Sequence, residues 1–223
     1  MSIALVTGAN RGIGLALVQH LRARGDEVIA ACRHSSDALS RTGARIETGV
    51  DVGDDGAVAQ LAQGLDGTRL DRVWLNAGIL ARDELGKIDK RGFDDLRRQF
   101  EINALGPLRV AQALVGRLGV GSKIAIITSR MGSIGDNDSG GYYGYRASKA
   151  AVNAVGRSLA VDLAPRGIAV YLLHPGYVAT EMVGGHGDIS PDTAAARLID
   201  VVDRLGQEQS GSFWHSNGSA LPW

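Results

Sequence analysis

The chain has 223 residues, 44% hydrophobic and 22% charged, which is enough to bury a full core without disulfide or metal support. Lys plus Arg equals Asp plus Glu at 24 each, and the resulting zero net charge argues against an electrostatic nucleic-acid binder. No stretch approaches 18 apolar residues, which excludes a membrane-spanning helix. The single cysteine, Cys32, allows no internal disulfide. With no signal-peptide pattern at the start, the expected location is the cytoplasm.

In chain order, strands are expected at 3–6, 27–32, 45–49, 72–75, 123–128 and 168–173, with an edge strand near 212–214. Most of these runs are apolar without alternation, as in strands covered by helices on both faces. Helical patterns fall at 12–24, 54–64, 93–118, 143–163 and 191–206. This alternation predicts one α/β domain over 1–223, a doubly wound parallel sheet of about seven strands in the order 3-2-1-4-5-6-7. Loops after the fifth and sixth strands lie at carboxyl strand ends, where open α/β sheets bind ligands.

Thr7-Gly8-Ala9-Asn10-Arg11-Gly12-Ile13-Gly14 follows the first strand and opens the first helix. Glycines there let backbone N–H groups approach a pyrophosphate at the positive helix end. The spacing is not the G-x-G-x-x-G fingerprint, and a plain tight turn is the bland alternative. Its place at the head of the alternation favours a dinucleotide phosphate site. The second strand ends Ala31-Cys32-Arg33-His34, with no acid to hold a ribose 2′-hydroxyl. Arg33, with Arg11 from the glycine turn, instead suits a 2′-phosphate, which favours NADP(H) over NAD(H).

Tyr145 and Lys149 are four apart near a helix start and share a face. A nearby cation is expected to lower the phenol pKa, as a phenolic acid/base requires. Ser129 ends the fifth strand and could donate to a substrate carbonyl. Asn76-Ala77-Gly78 ends the fourth strand, where Asn76 either ties strand ends together or touches the cofactor. Asn103 falls within the long helical pattern, as a solvated residue or as a group holding a carbonyl or a water. Pro175-Gly176 closes the sixth strand, and the amides after it, with the Thr180 hydroxyl, could hold a carboxamide. The five histidines show no metal-ligand spacing.

Taken in order, Thr7-Gly8-x-x-x-Gly12-x-Gly14, Asn76-Ala77-Gly78, Ser129, Tyr145-x-x-x-Lys149 and Pro175-Gly176 resemble the short-chain dehydrogenase/reductase family over essentially the whole chain. That resemblance implies a Rossmann-like fold and hydride transfer between a nicotinamide and an alcohol or carbonyl. It implies a catalytic set of Asn103, Ser129, Tyr145 and Lys149, with Lys149 also on the nicotinamide ribose. It places Asp51 and Val52 beside the adenine and adds Asn10, Ile13 and Val178 to the cofactor contacts. It also implies dimers or tetramers. The loop from Ser129 to Gly135 and the C-terminal ending are similar to the C-factor and sniffer-like carbonyl reductases. Two departures matter. Ser129 precedes Tyr145 by 16 residues, a wider gap than many members have, so Ser133 is a rival to the preferred Ser129. The chain is also short after Thr180, so a small covering segment at 181–195 and an open pocket are expected. The reading is therefore an NADP(H)-dependent carbonyl reductase acting on a small molecule. The alternatives are an NADP(H)-binding sensor and an NAD-dependent alcohol dehydrogenase.

Overall fold

The computed structural model describes residues 2–223. In chain order its main elements are β1 (Ile3–Thr7), α1 (Gly12–Ala23), β2 (Glu27–Ala31), α2 (Asp37–Ser40), β3 (Arg45–Glu47), α3 (Asp55–Gly64) and β4 (Leu70–Leu75). There follow α4 (Lys90–Phe100), α5 (Gly106–Leu114), β5 (Leu118–Ile127), α6 (Tyr143–Leu163), β6 (Ala169–His174), α7 (Pro191–Arg204) and β7 (Phe213–His215). The strands form one sheet in the order β3-β2-β1-β4-β5-β6-β7, every neighbouring pair parallel. This is the Rossmann-like arrangement that the strand–helix alternation predicts.

Side chains alternate across a strand, so each apolar run feeds two cores. On β1, Ala4 and Val6 join Leu17 and Leu21 of α1 and Leu198 and Val202 of α7. Leu5 between them faces the other way, towards Val110 and Leu114 of α5 and Val152 of α6. Full burial of each such Leu or Val contributes about 1.5–3 kcal/mol. Both sheet faces are thereby sealed, and ligands are left the carboxyl edge.

Three departures from the sequence expectation bear on the site. The helical stretch expected at 93–118 is interrupted: α4 runs into a widened π turn, Glu101–Leu105, before α5 begins. Pro107 has no N–H and cannot close the α-helical bond to the Asn103 carbonyl; the Gly106 N–H reaches back five residues to the Glu101 carbonyl instead. The fifth strand begins at Leu118 rather than 123, with a register shift opposite Leu70 and Arg72. A short helix, α2, was not expected; the Ser36 side chain caps it by accepting from the Leu39 N–H.

Candidate active site

A cavity of about 1020 Å³ runs along the carboxyl edge of the sheet. Its walls include Gly8, Asn10, Arg11, Gly12, Ile13, Arg33, Asp51, Val52, Asn76, Ala77 and Gly78 at one end. Ser129, Tyr145, Lys149, Pro175, Gly176, Val178 and Thr180 line the other. Gly14 and Asn103 are not among its lining residues.

The glycine turn fits a dinucleotide phosphate. Gly8 (φ +65°) and Gly12 (φ +54°) are left-handed, a conformation that disfavours side chains. Gly14 serves packing: a Cβ there would lie 2.2 Å from the Gly8 oxygen. The α1 N-terminus has no side-chain cap, so its first N–H groups remain open to an anion. Asn76 Nδ2 donates to the main-chain oxygens of Thr7 (3.0 Å) and Gly8 (3.3 Å). Thr7 Oγ1 in turn accepts from the Asn76 and Ala77 N–H groups. Asn76 therefore ties the ends of β1 and β4 together.

At the expected 2′-phosphate position, Arg33 is half exposed, with Nη1 4.0 Å from Asp51. Asp51 itself accepts from the Gly53 N–H. Arg11 pairs with Glu181 at 2.5 Å, both on the cavity wall. That pair is exposed on both sides, so it contributes at most about 1 kcal/mol and is displaceable.

Tyr145 sits in the first turn of α6, held by an unusual start. Tyr142 before it is left-handed (φ 52°), and Asp83, from the loop after β4, accepts from the Tyr143 and Gly144 N–H groups. Lys149 lies one turn on, its Nζ 5.7 Å from the Tyr145 ring centre. The expected lowering of the phenol pKa is not what the protein alone produces. Burial pushes Tyr145 up to about 12, against a smaller downward pull from its hydrogen bond with Ser129. Burial also drives Lys149 down to about 8, and its Nζ donates to the Ile127 carbonyl at 3.0 Å. The ammonium is thus anchored to β5.

Ser129 and Ser133 have different surroundings. Ser129 is buried at the cavity wall, accepts from the Met131 N–H and bonds Tyr145. Ser133 Oγ donates to the Trp223 carbonyl at 3.0 Å and is absent from the cavity lining. Asn103 is buried behind the site: Oδ1 accepts from the Ile79 N–H, and Nδ2 donates to the Ile79 carbonyl and Ser148 Oγ. Both its N–H donors are used, so the side chain fixes the loop after β4 and does not hold a substrate carbonyl.

Beyond β6, Gly176 is left-handed (φ 97°), Val178 pairs with Ile189, and 181–183 forms a single 3-10 turn before α7. Several other residues, to which the sequence assigns no site role, line the cavity, among them Arg82, Arg130, Asp136, His174 and His215. None carries a local sequence signal. The His174 and His215 rings meet edge-on at 4.9 Å, and burial drives His174 down to about 3, so it is neutral at pH 7.

Residues 2–188 match the profile of the short chain dehydrogenase family. This chain belongs to that family. The 1-hydroxy-2-glutathionyl-2-methyl-3-butene dehydrogenase of Rhodococcus sp. strain AD45 is 47% identical over 229 residues, covering 100% of both chains. Among solved members, the NADPH-bound carbonyl reductase from chicken fatty liver superposes with a TM-score of 0.88 at 29% identity, covering 100% of this chain and 99% of that one. The carbonyl reductase Sniffer of D. melanogaster gives 0.89 at 30% identity with the same coverage. The chain is accordingly an oxidoreductase of the carbonyl-reductase-like short-chain dehydrogenases. Among the described residues, no helix is long and apolar enough to cross a membrane.

Proposed function

We propose that this short-chain dehydrogenase interconverts a small-molecule carbonyl and its alcohol, using NADP(H) in preference to NAD(H). The observation that carries the reading is the convergence of Ser129, Tyr145 and Lys149 on a cavity continuous with the glycine turn. When bound, the nicotinamide supplies or accepts the hydride; the protein's residues do the rest. Gly8, Gly12 and the open α1 amides would hold the pyrophosphate together with Asn10 and Ile13. Arg33 would meet the 2′-phosphate, and Arg11 could join it by leaving Glu181. Asp51, Val52, Asn76, Ala77, Gly78, Pro175, Gly176, Val178 and Thr180, all on the cavity wall, would supply the remaining cofactor contacts.

In the reductive direction, Ser129 and Tyr145 donate hydrogen bonds to the substrate oxygen, and Tyr145 delivers the proton. A phenol pushed up to about 12 stays protonated at neutral pH, as a general acid requires. Lys149, 5.7 Å from the Tyr145 ring centre, would hold the nicotinamide ribose and favours the phenolate left after transfer. Asn103 keeps the Ile79 segment and Ser148 in place and from there would position a water that resupplies the proton.

The Rhodococcus relative is named for a hydroxy compound bearing a glutathionyl group. A hydroxy thioether of that kind, offered with the oxidised cofactor, is therefore the first substrate to try. The complete Ser129, Tyr145 and Lys149 set weighs against a sensor without turnover. Exposed Phe93, Phe100, Leu108 and Val161 on α4, α5 and α6 support association of copies through these helices, and we place the protein in the cytoplasm. One domain carries the whole site; of the segment expected to cover it, 181–195, only the part before α7 can do so, because Pro191 begins that helix and Ala194 and Ala195 are buried in the core.

Tyr145→Phe tests the assignment. It is expected to cut turnover by about 10²–10⁴-fold while NADPH affinity stays near that of the parent. Substantial residual turnover would remove Tyr145 as the proton donor.

A further inference from the structure

Arg130 follows Ser129 directly, and both line the cavity. Its guanidinium is held along one edge by Asp136: Nε donates to Oδ2 and Nη2 donates to Oδ1 at 3.0 Å. A guanidinium has five N–H donors in a planar fork. With the side edge on Asp136, the end edge formed by Nη1 and the outer Nη2 hydrogen is free, and among the described residues Nη1 has no hydrogen-bond partner. Arg146, also on the cavity wall, is different. It donates to the Gly140 and Gly141 carbonyls and to Ser139 Oγ, and so staples the loop.

The Arg130–Asp136 contact is two-pronged and Asp136 is mostly shielded from solvent, so it fixes the direction in which the guanidinium points. Burial, His215 and, after them, the Arg130 charge hold His174 down to about 3, while burial and then Arg130 and Arg197 lower His215 from the usual imidazole value. Arg82, also on the cavity wall, makes no hydrogen bond or ion pair among the described residues. Asp138 is the one further acid acting on Arg130.

Resting on the oxidoreductase reading above, we propose that the substrate carries a carboxylate, bound end-on by Arg130 next to the Ser129 carbonyl anchor, with Asp136 aiming the guanidinium.

The test uses a matched pair of aldehydes, 4-formylbenzoate and its methyl ester, and a matched pair of unreactive ligands, terephthalate and dimethyl terephthalate. kcat/KM is measured for the aldehydes, and affinity for the ligands is measured calorimetrically on the enzyme–NADP⁺ complex. The parent protein is expected to favour each charged member by about tenfold or more, the worth of a charge-assisted hydrogen bond. Arg130→Gln is expected to bring both ratios close to one, through KM rather than kcat. Arg130→Lys keeps the charge without the fork and is expected to fall between. Thermal melting and NADPH affinity of each variant show that it is folded. Equal efficiency on both aldehydes, or equal affinity for both ligands, overturns the carboxylate site and leaves the oxidoreductase reading standing. A charge preference in binding without turnover of either aldehyde upholds the carboxylate site and counts against the catalytic reading. A preference that survives Arg130→Gln removes Arg130 from the role.

Discussion

Gly14→Ala isolates the glycine turn's contribution. The new methyl would lie 2.2 Å from the Gly8 oxygen, 2.6 Å from Asn76 Nδ2 and 2.9 Å from the Gly8 carbonyl carbon. The first is more than about 1 Å inside ordinary contact, and the other two are roughly 0.9 and 0.6 Å inside it. Two of the three atoms are backbone, and the third is fixed by its bonds to Thr7 and Gly8, so little can yield. Overpacking of this kind costs about 1–3 kcal/mol, and rigid neighbours argue for about 3. For a chain of this size that corresponds to a drop in Tm of roughly 6–12 °C. The turn must also shift where it meets the pyrophosphate, so NADPH affinity is expected to fall about tenfold or more. Gly64→Ala is the control. Gly64 ends α3 with nothing within 4 Å of an added Cβ, so the change is expected to stabilise by up to about 1 kcal/mol. Melting curves and fluorescence titration with NADPH read both variants. If Gly14→Ala melts and binds NADPH like Gly64→Ala, the reasoning from close approach fails.

Three further outcomes follow from the site. Arg33→Ala is expected to weaken NADPH by about 10–100-fold, the worth of hydrogen bonds to a charged group, and NADH far less; equal losses would show that Arg33 does not meet a 2′-phosphate. Lys149 is depressed to about 8, so its ammonium is lost as pH rises through that value, whereas Tyr145, at about 12, stays protonated. The reductive kcat/KM should therefore be flat below about pH 8 and fall above it, and the limb should leave the accessible range in the residual activity of Lys149→Arg. A limb unchanged in that variant would assign it to another group. Ser129→Ala should lower turnover by about 10²-fold or more, while Ser133→Ala should cost about 1 kcal/mol of stability through the lost Trp223 bond with little effect on turnover; the reverse pattern would exchange their roles.

The sheet order was readable because each strand is an apolar run and each connection carries a helical pattern. The Tyr145–Lys149 adjacency was readable because positions four apart share a helix face. Their ionisation was not, since burial outweighs the nearby charge and depends on the whole wall around them. The Asn103 turn escaped because one extra residue in a helix barely disturbs its period, although Gly106-Pro107 marks the place. Ser133 to Trp223 and Asp83 to the α6 start join residues 90 and 60 or more apart. Such ties leave no local pattern. Arg130 was invisible for a related reason: in sequence, an arginine aimed by an aspartate six residues on looks like any solvated loop charge.

The central claim is that one cavity binds NADP(H) and passes its hydride to a carbonyl. It is tested most directly by titrating the purified protein with NADPH and NADH by nucleotide fluorescence, then adding a panel of ketones, aldehydes and quinones and following NADPH absorbance. The account predicts tighter NADPH than NADH binding and carbonyl-dependent loss of absorbance. Tight NADPH binding with no consumption across the panel, or no nucleotide binding at all, would contradict it.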